Sequence, residues 1–280
     1  MQSNDMQPKP ILVLGATGKT GSRIANRLEA RGHNVRRGSR NAALSFDWSA
    51  PDTWGPVLAG VGAVYISYYP DIAVPGAVET VSAFVDQAHA AGVDKLVLLT
   101  GRGEHHAQRA EEVVRRSGLP FTLVRAAWFA QNFSEGALHA PVMAGVLPMP
   151  GGDVREPIVD VDDIADVAVA ALSEPGHDGE LYEVTGPRLM GFADMAAALS
   201  EATGRNIAHL PISFEDFHAA LVQDQGPMIA EVLTAIARET LDGRNAHLTD
   251  GVRRALGREP RDFTTFAKAA AGSGAWAAAA

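Results

Sequence analysis

Short apolar runs alternate with stretches of helical spacing over the first half of the chain. Ile11 to Leu14 is an apolar run closed by Gly15, the pattern of a buried strand. Gly18 to Arg31 follows with Ile24 and Leu28 one turn apart, and Gly32 stops the predicted helix. Asn34 to Arg37 reads as a second strand. A third short strand is expected ahead of Phe46-Asp47-Trp48, and Ala63 to Ile66 is the next. Val78, Val81, Val85 and Ala88 give Ala77 to Ala91 a helical face that ends at Gly92. Lys95 to Leu99 reads as a strand, Gln108 to Ser117 as a helix ended by Gly118, and Phe121 to Val124 as a further strand. Strands alternating with helices imply right-handed crossovers and a parallel sheet covered on both faces.

Beyond Arg125 the rhythm weakens. Leu147 to Gly152 reads as a Pro/Gly loop, and Asp162 to Leu172 as a helix with acids in its first turn. Leu181 to Val184 is expected to return to the sheet. Phe192 to Thr203, Phe214 to Val222 and Met228 to Leu241 have helical spacing. The alanine-rich tail, Ala269 to Ala280, is expected to fray, with Trp276 pinning it. The pattern predicts an α/β fold, a doubly wound parallel sheet with a small, mainly helical C-terminal lobe. Residues 1–157 form the expected dinucleotide-binding core and 158–280 the substrate lobe, with some elements returning to the core sheet.

Composition narrows the function classes. A net charge of −9 argues against duplex nucleic acid as a partner. The absence of cysteine excludes disulfides, thiolate nucleophiles and Cys-zinc sites. No apolar stretch reaches bilayer length, and the polar Met1 to Pro10 lacks the apolar region of a signal peptide. A cytoplasmic protein with a small-molecule substrate and no membrane partner is expected, and a homodimer is an open arrangement. Charge is unevenly spread: residues 1–40 hold eight Lys/Arg against Asp5 and Glu29. Arg23, Arg27 and Arg31 read as a solvated helix face, so a recognised anion is expected at the rest of this basic segment.

The chemistry starts at Gly15-Ala-Thr-Gly18-Lys-Thr-Gly21, between the first strand and the first helix. The three glycines allow a sharp turn, close approach of a pyrophosphate and close helix–strand packing. The helix N-terminus offers free N–H groups and a positive dipole end. Lys19 is not a P-loop lysine, because the loop length does not fit. Sites for unphosphorylated dinucleotides place an acid after the second strand; here the chain reads Arg36-Arg37-Gly38-Ser39-Arg40. Arginine binds phosphate bidentately. Arg40, helped by Ser39 and Arg36, is expected to accept a 2′-phosphate, which favours NADP(H).

These segments resemble the NmrA-like atypical short-chain dehydrogenase/reductases, in particular the festuclavine and agroclavine dehydrogenase subgroup and its bacterial relatives. LGATGKTGSRIA, FDWSAPDTW, WFAQNF and PIVDVDDIADVA carry the likeness, with the late segments TGRNIAHLPIS and ALGREPRDFTTFAKA. The resemblance implies a Rossmann-like core binding NADP(H). By position it implies a cofactor shell of Gly15, Thr17, Gly18, Lys19, Thr20, Gly21, Ser39, Arg40, Asp47, Ser67, Tyr68, Thr100 and Gly101, with Phe129 and Asn132 near the nicotinamide.

The usual Tyr-x-x-x-Lys pair of the wider superfamily, in which the tyrosine donates a proton as hydride arrives, is missing. The residues four after Tyr65, Tyr68, Tyr69 and Tyr182 are Tyr69, Ile72, Ala73 and Gly186, and Gln108 stands at the expected place. Two readings follow. Either an imine, iminium, quinone or enone is reduced with little acid catalysis, or the protein is a non-catalytic NADP(H) sensor of the NmrA type. Candidate proton donors are Tyr68, His105 and His106, the histidines on a loop after a strand or simply at the surface. Tyr69, Trp128, Phe129 and Asn132 are candidates for the substrate pocket, with packing the alternative for the aromatics. No metal site is expected, since a helix N-terminus accounts for Asp162 and Asp163 beside Asp160 and Asp166.

Overall fold

The computed structural model describes residues 8–277. The expectations on Met1 to Gln7 and on Ala278 to Ala280 lie outside the described residues. In chain order the elements are β1 (Ile11–Leu14), α1 (Lys19–Ala30), β2 (Val35–Gly38), α2 (Trp54–Leu58), β3 (Ala63–Ile66), α3 (Ala77–Ala90), β4 (Lys95–Gly101), α4 (His105–Arg116) and β5 (Phe121–Ala126). There follow α5 (Asn132–Glu135), α6 (His139–Met143), β6 (Val146–Met149), α7 (Val161–Ser173), β7 (Glu180–Val184), α8 (Phe192–Thr203) and β8 (Ala208–Pro211). The chain then continues in α9 (Phe214–Gln225), α10 (Pro227–Thr240), α11 (Gly251–Leu256) and α12 (Phe263–Gly272).

The main sheet has the order β2-β1-β3-β4-β5-β7, a mostly parallel, Rossmann-like arrangement. β1 runs parallel to both β2 and β3, pairing Ile11 with Val35 on one side and Ala63 on the other. All four residues of β1 and of β3 are buried, because a parallel strand has helices on both faces. The expected return of Leu181 to Val184 is β7, at the sheet's edge.

By packing, the chain forms two compact units, neither a single stretch of sequence. The first holds residues 8–100, 108–124 and 165–181; the second holds 101–107, 125–164 and 182–277. In the first unit Ile24, Ala25 and Leu28 bury one face of α1. Its other face is not simply solvated: Arg27 pairs with Asp166 at 2.9 Å and Arg31 with Glu174 at 2.8 Å, which ties α1 to α7 and the residue after it.

The second unit is mainly helical around a core that includes Phe133, Leu147, Met149, Phe192, Leu199 and Phe263. Asp163, fully buried, anchors the segment before α12. It accepts from the Arg261 backbone at 2.6 Å, pairs with Arg258 at 2.7 Å, and bonds the Arg261 guanidinium. Among the described residues no group of three or more His, Asp or Glu is arranged to hold a metal, and no helix is long and apolar enough to cross a membrane.

Four sequence expectations change. No further strand lies between β2 and Phe46; the segment folds back through turns with one bridge, Ser39 to Ser45. Leu147 to Met149 is not loop but strand, paired with Leu210 opposite Pro148. Its buried Leu147 and Met149 alternate with Pro148, and a two-stranded ribbon has free edges where proline's missing N–H costs nothing. His105 and His106 lie not in a loop but in the first turn of α4, both exposed. Ala269 to Gly272 is helix, not frayed, and Trp276 is pinned as expected, its indole donating to the Phe133 carbonyl at 2.9 Å.

Candidate functional site

The glycine turn is built by close approach. Gly15 has φ +66, a left-handed conformation at the end of β1. Its carbonyl accepts the Gly18 N–H at 2.8 Å. Gly21 passes so close that a side chain there would overlap the Gly15 carbonyl oxygen and lie 2.6 Å from its carbonyl carbon. Gly18 caps α1 with extended backbone and no side-chain bond to the first N–H groups, and no acid sits in the first turn. A helix start without a side-chain cap or a first-turn acid is suited to an anion. Thr17 and Gly18 are exposed, Lys19 is half-buried, and Thr20 turns inward beside the buried Tyr65. Burial raises the Tyr65 phenol above its ordinary range, which removes this tyrosine from acid–base chemistry.

The ends of β2 and β3 complete this surface within the first unit. Ser67 lies over Gly15, where an added Cβ would meet the Ser67 side chain at 3.4 Å. Trp48 fixes that corner: its indole donates to the Ser67 carbonyl at 3.1 Å, and its ring lies 4.8 Å from that of Tyr68. The Asp47 carboxylate accepts from the Ser49 backbone and hydroxyl at 2.9 and 2.7 Å; these bonds, with Arg40 nearby, hold its pKa below the ordinary aspartate value. Thr100 is buried, and its hydroxyl donates to Glu111 at 2.7 Å, so only its backbone faces elsewhere.

The arginines separate. Arg36 donates to the carbonyls of Val57 and Ala59 at 2.7 and 2.8 Å, which caps α2 and takes Arg36 away from any cofactor phosphate. Arg37 pairs with Glu29 at 2.7 Å and bonds Asn26. Arg40 is exposed, and its guanidinium makes no hydrogen bond or ion pair among the described residues; it lies 5.3 Å over the Tyr69 ring. Tyr69, one of the residues expected at the substrate pocket, thus has Arg40 as its neighbour within the first unit.

The other candidates belong to the second unit. Trp128 and Phe129 are half-buried; the Trp128 indole donates to Thr240 at 3.0 Å, and Phe129 bridges Val159. Asn132 opens α5. Gln131, which sequence reasoning passed over inside WFAQNF, organises this stretch. It donates to Asp160 at 2.7 Å and accepts the Val161 N–H at 2.8 Å. Asp160, rather than Asp162 or Asp163, caps α7, through the Asp162 N–H at 2.8 Å. Gly101 is closed over by the Glu104 carboxylate. Beside it Arg102 and Asn245 exchange bonds, Arg102 donating to the Asn245 carbonyl at 2.8 Å and Asn245 returning one at 3.1 Å.

Glu156 is the least expected group. It is buried, neither carboxylate oxygen has a hydrogen-bond partner, and burial pushes its pKa up to about 7 despite the attraction of Arg102. No sequence pattern marks it, since its burial is decided by tertiary packing.

A glycine turn feeding an uncapped helix at the carboxyl edge of a parallel sheet defines a dinucleotide-binding α/β protein. The chain belongs to the NAD(P)H-binding family, which it matches over residues 15–175. It is 32% identical to the NAD(P)H azoreductase of Xenophilus azovorans, over 92% of this chain and 97% of that one. It is 28% identical to the festuclavine dehydrogenase of Aspergillus fumigatus, over 92% and 96%. Among solved structures, the triphenylmethane reductase of Citrobacter sp. complexed with NADP(H) superposes with a TM-score of 0.73 at 22% identity, covering 93% of this chain and 99% of that chain. These likenesses accord with the NmrA-like, clavine-dehydrogenase character of the sequence.

Proposed function

We propose that the protein is an NADPH-dependent reductase that transfers hydride to an imine, iminium, quinone or enone without a Tyr-x-x-x-Lys pair. The observation that carries this is the pairing of an unopposed anion cradle at Gly15 to Gly21 with an uncommitted guanidinium at Arg40. The named activities of the azoreductase and the festuclavine dehydrogenase support reduction as the reaction class. The first unit is assigned the dinucleotide and the second the substrate side, with Trp128, Phe129 and Asn132 of the second unit as substrate contacts.

The reduced nicotinamide, when bound, supplies the hydride. The chain's own residues bind and orient. The α1 N–H groups hold the pyrophosphate, Ser39 and Arg40 the 2′-phosphate, and Ser67 and Tyr68 the wall beside the glycine turn. An iminium carbon that gains hydride becomes a neutral amine and needs no proton, so positioning carries the rate. A quinone or enone leaves an oxyanion that water can protonate.

The test is NADPH oxidation over a panel of cyclic imines, N-alkyl iminium ions and quinones, with NADH in parallel. NADPH is expected to bind at least tenfold tighter than NADH, about 1.4 kcal/mol. Arg40→Ala removes that preference, whereas Arg36→Ala leaves it in place. Tight NADPH binding with no turnover on any acceptor would replace this reading with that of an NADP(H)-binding sensor.

A further inference from the structure

We infer that Tyr69 is a positioning residue for cofactor choice: its ring holds the Arg40 guanidinium in the orientation that receives the 2′-phosphate. The inference rests on the NADPH reading above and moves Tyr69 from the substrate pocket to the adenosine end of the site.

Both partners stand on fixed backbone. The Arg40 carbonyl accepts the Ser45 hydroxyl at 2.9 Å, and the preceding Ser39 carbonyl accepts the Phe46 N–H at 3.0 Å. On the other side, the Trp48 indole bonds the Ser67 carbonyl and its ring packs at a tilt against Tyr68, so Tyr69 leaves the end of β3 in a set direction. Tyr69 is 65% exposed, the most exposed aromatic among the large hydrophobic residues at the surface. An apolar ring at that exposure gains nothing from the core, and its one ring contact among the described residues is with Arg40.

The geometry suits the chemistry. A guanidinium attracted to a ring by its face keeps its N–H groups in plane, free to bond two oxygens of a phosphate side by side. Lysine has no such face, and a free arginine must be immobilised at binding. Asp47 supplies the competing pull, since the Arg40 charge adds to the Ser49 hydrogen bonds in lowering its pKa. The ring opposes collapse of the guanidinium onto that carboxylate before the cofactor arrives.

The experiment measures NADPH and NADH dissociation constants by nicotinamide fluorescence for wild type, Tyr69→Ala, Tyr69→Phe, Arg40→Ala and the double variant Tyr69→Ala/Arg40→Ala. Tyr69→Ala is expected to lower the NADPH-over-NADH preference about threefold to fivefold through NADPH alone, the size of an exposed cation–π contact. Tyr69→Phe keeps the ring and the preference. In the Arg40→Ala background, Tyr69→Ala changes nothing further. Equal loss for both cofactors, no loss, or the same loss without Arg40 would overturn the role of Tyr69 while leaving the NADPH assignment standing. A wild-type protein that binds the two cofactors equally would overturn the assignment itself.

Discussion

Gly21→Ala adds a single methyl group at the tightest point of the cofactor cradle. The new Cβ would overlap the Gly15 carbonyl oxygen, lie 2.6 Å from the carbonyl carbon and 3.1 Å from the Ala16 nitrogen. Every one of these atoms is backbone, so no side chain can swing away. Either α1 slides outward or the Gly15 turn opens, by roughly 1 Å to reach ordinary van der Waals contact. Overpacking of this kind costs about 1–3 kcal/mol, partly offset by about 1 kcal/mol of helix propensity gained over glycine. A net loss of up to about 2 kcal/mol corresponds to at most roughly 8 °C in Tm for a chain of this size. The larger effect falls on NADPH, because the displaced atoms carry the first N–H groups of α1; affinity is expected to drop more than tenfold. Gly18→Ala is the internal comparison: its added Cβ meets only the Gly15 oxygen, at 3.3 Å, on backbone that alanine adopts freely. Thermal unfolding without cofactor, followed by NADPH titration, separates the two terms, since bound ligand would itself raise Tm. Gly21→Ala with wild-type Tm and wild-type NADPH affinity would refute the close-approach argument, as would Gly18→Ala proving the more damaging of the pair.

Asp163→Asn leaves Arg258 and Arg261 facing a buried neutral amide; because both arginines are about a third exposed, urea unfolding should show a loss of about 1–3 kcal/mol, less than for a fully buried pair. The pKa of Glu156 is raised by burial from 4.5 to about 7, so the folded state binds more protons than the unfolded state between those values. Its contribution therefore makes stability fall as pH rises from 4.5 towards 7 and level off above; Glu156→Gln should flatten that slope and be the more stable form at pH 8 by denaturant titration. Tyr68→Phe, His105→Ala and His106→Ala should each cost less than about tenfold in single-turnover reduction of an N-alkyl iminium, and a thousandfold loss in any one with NADPH binding intact would reveal a dedicated acid and a carbonyl substrate.

The parts of this fold that could be read from the chain are those where local pattern and tertiary role coincide. β1 and β3 are continuous apolar runs because helices cover both faces, and the runs end where the strands end. The glycine turn was legible for the same reason, since its spacing encodes contacts only a few residues apart. β6 was not, because two prolines and two glycines around it outweigh the alternation of Leu147 and Met149 that buries it. The first turn of α4 was hidden by its polarity: His105 and His106 face solvent, and the buried stripe of the helix begins only at Ala107.

Side-chain destinations were the harder problem, and the arginines after β2 show why. Nothing within residues 36–40 distinguishes three guanidinium groups that look equally able to meet a phosphate. Their partners decide, and these lie elsewhere: Arg36 caps a helix that begins at Trp54, Arg37 meets an acid on α1, and Arg40 meets a ring at the end of β3. Removal of the first two from contention sharpens the assignment that composition alone left diffuse. A basic segment can offer a recognition site only where the surrounding fold leaves a guanidinium without a hydrogen-bonded partner, and it is this that makes Arg40 the residue to test.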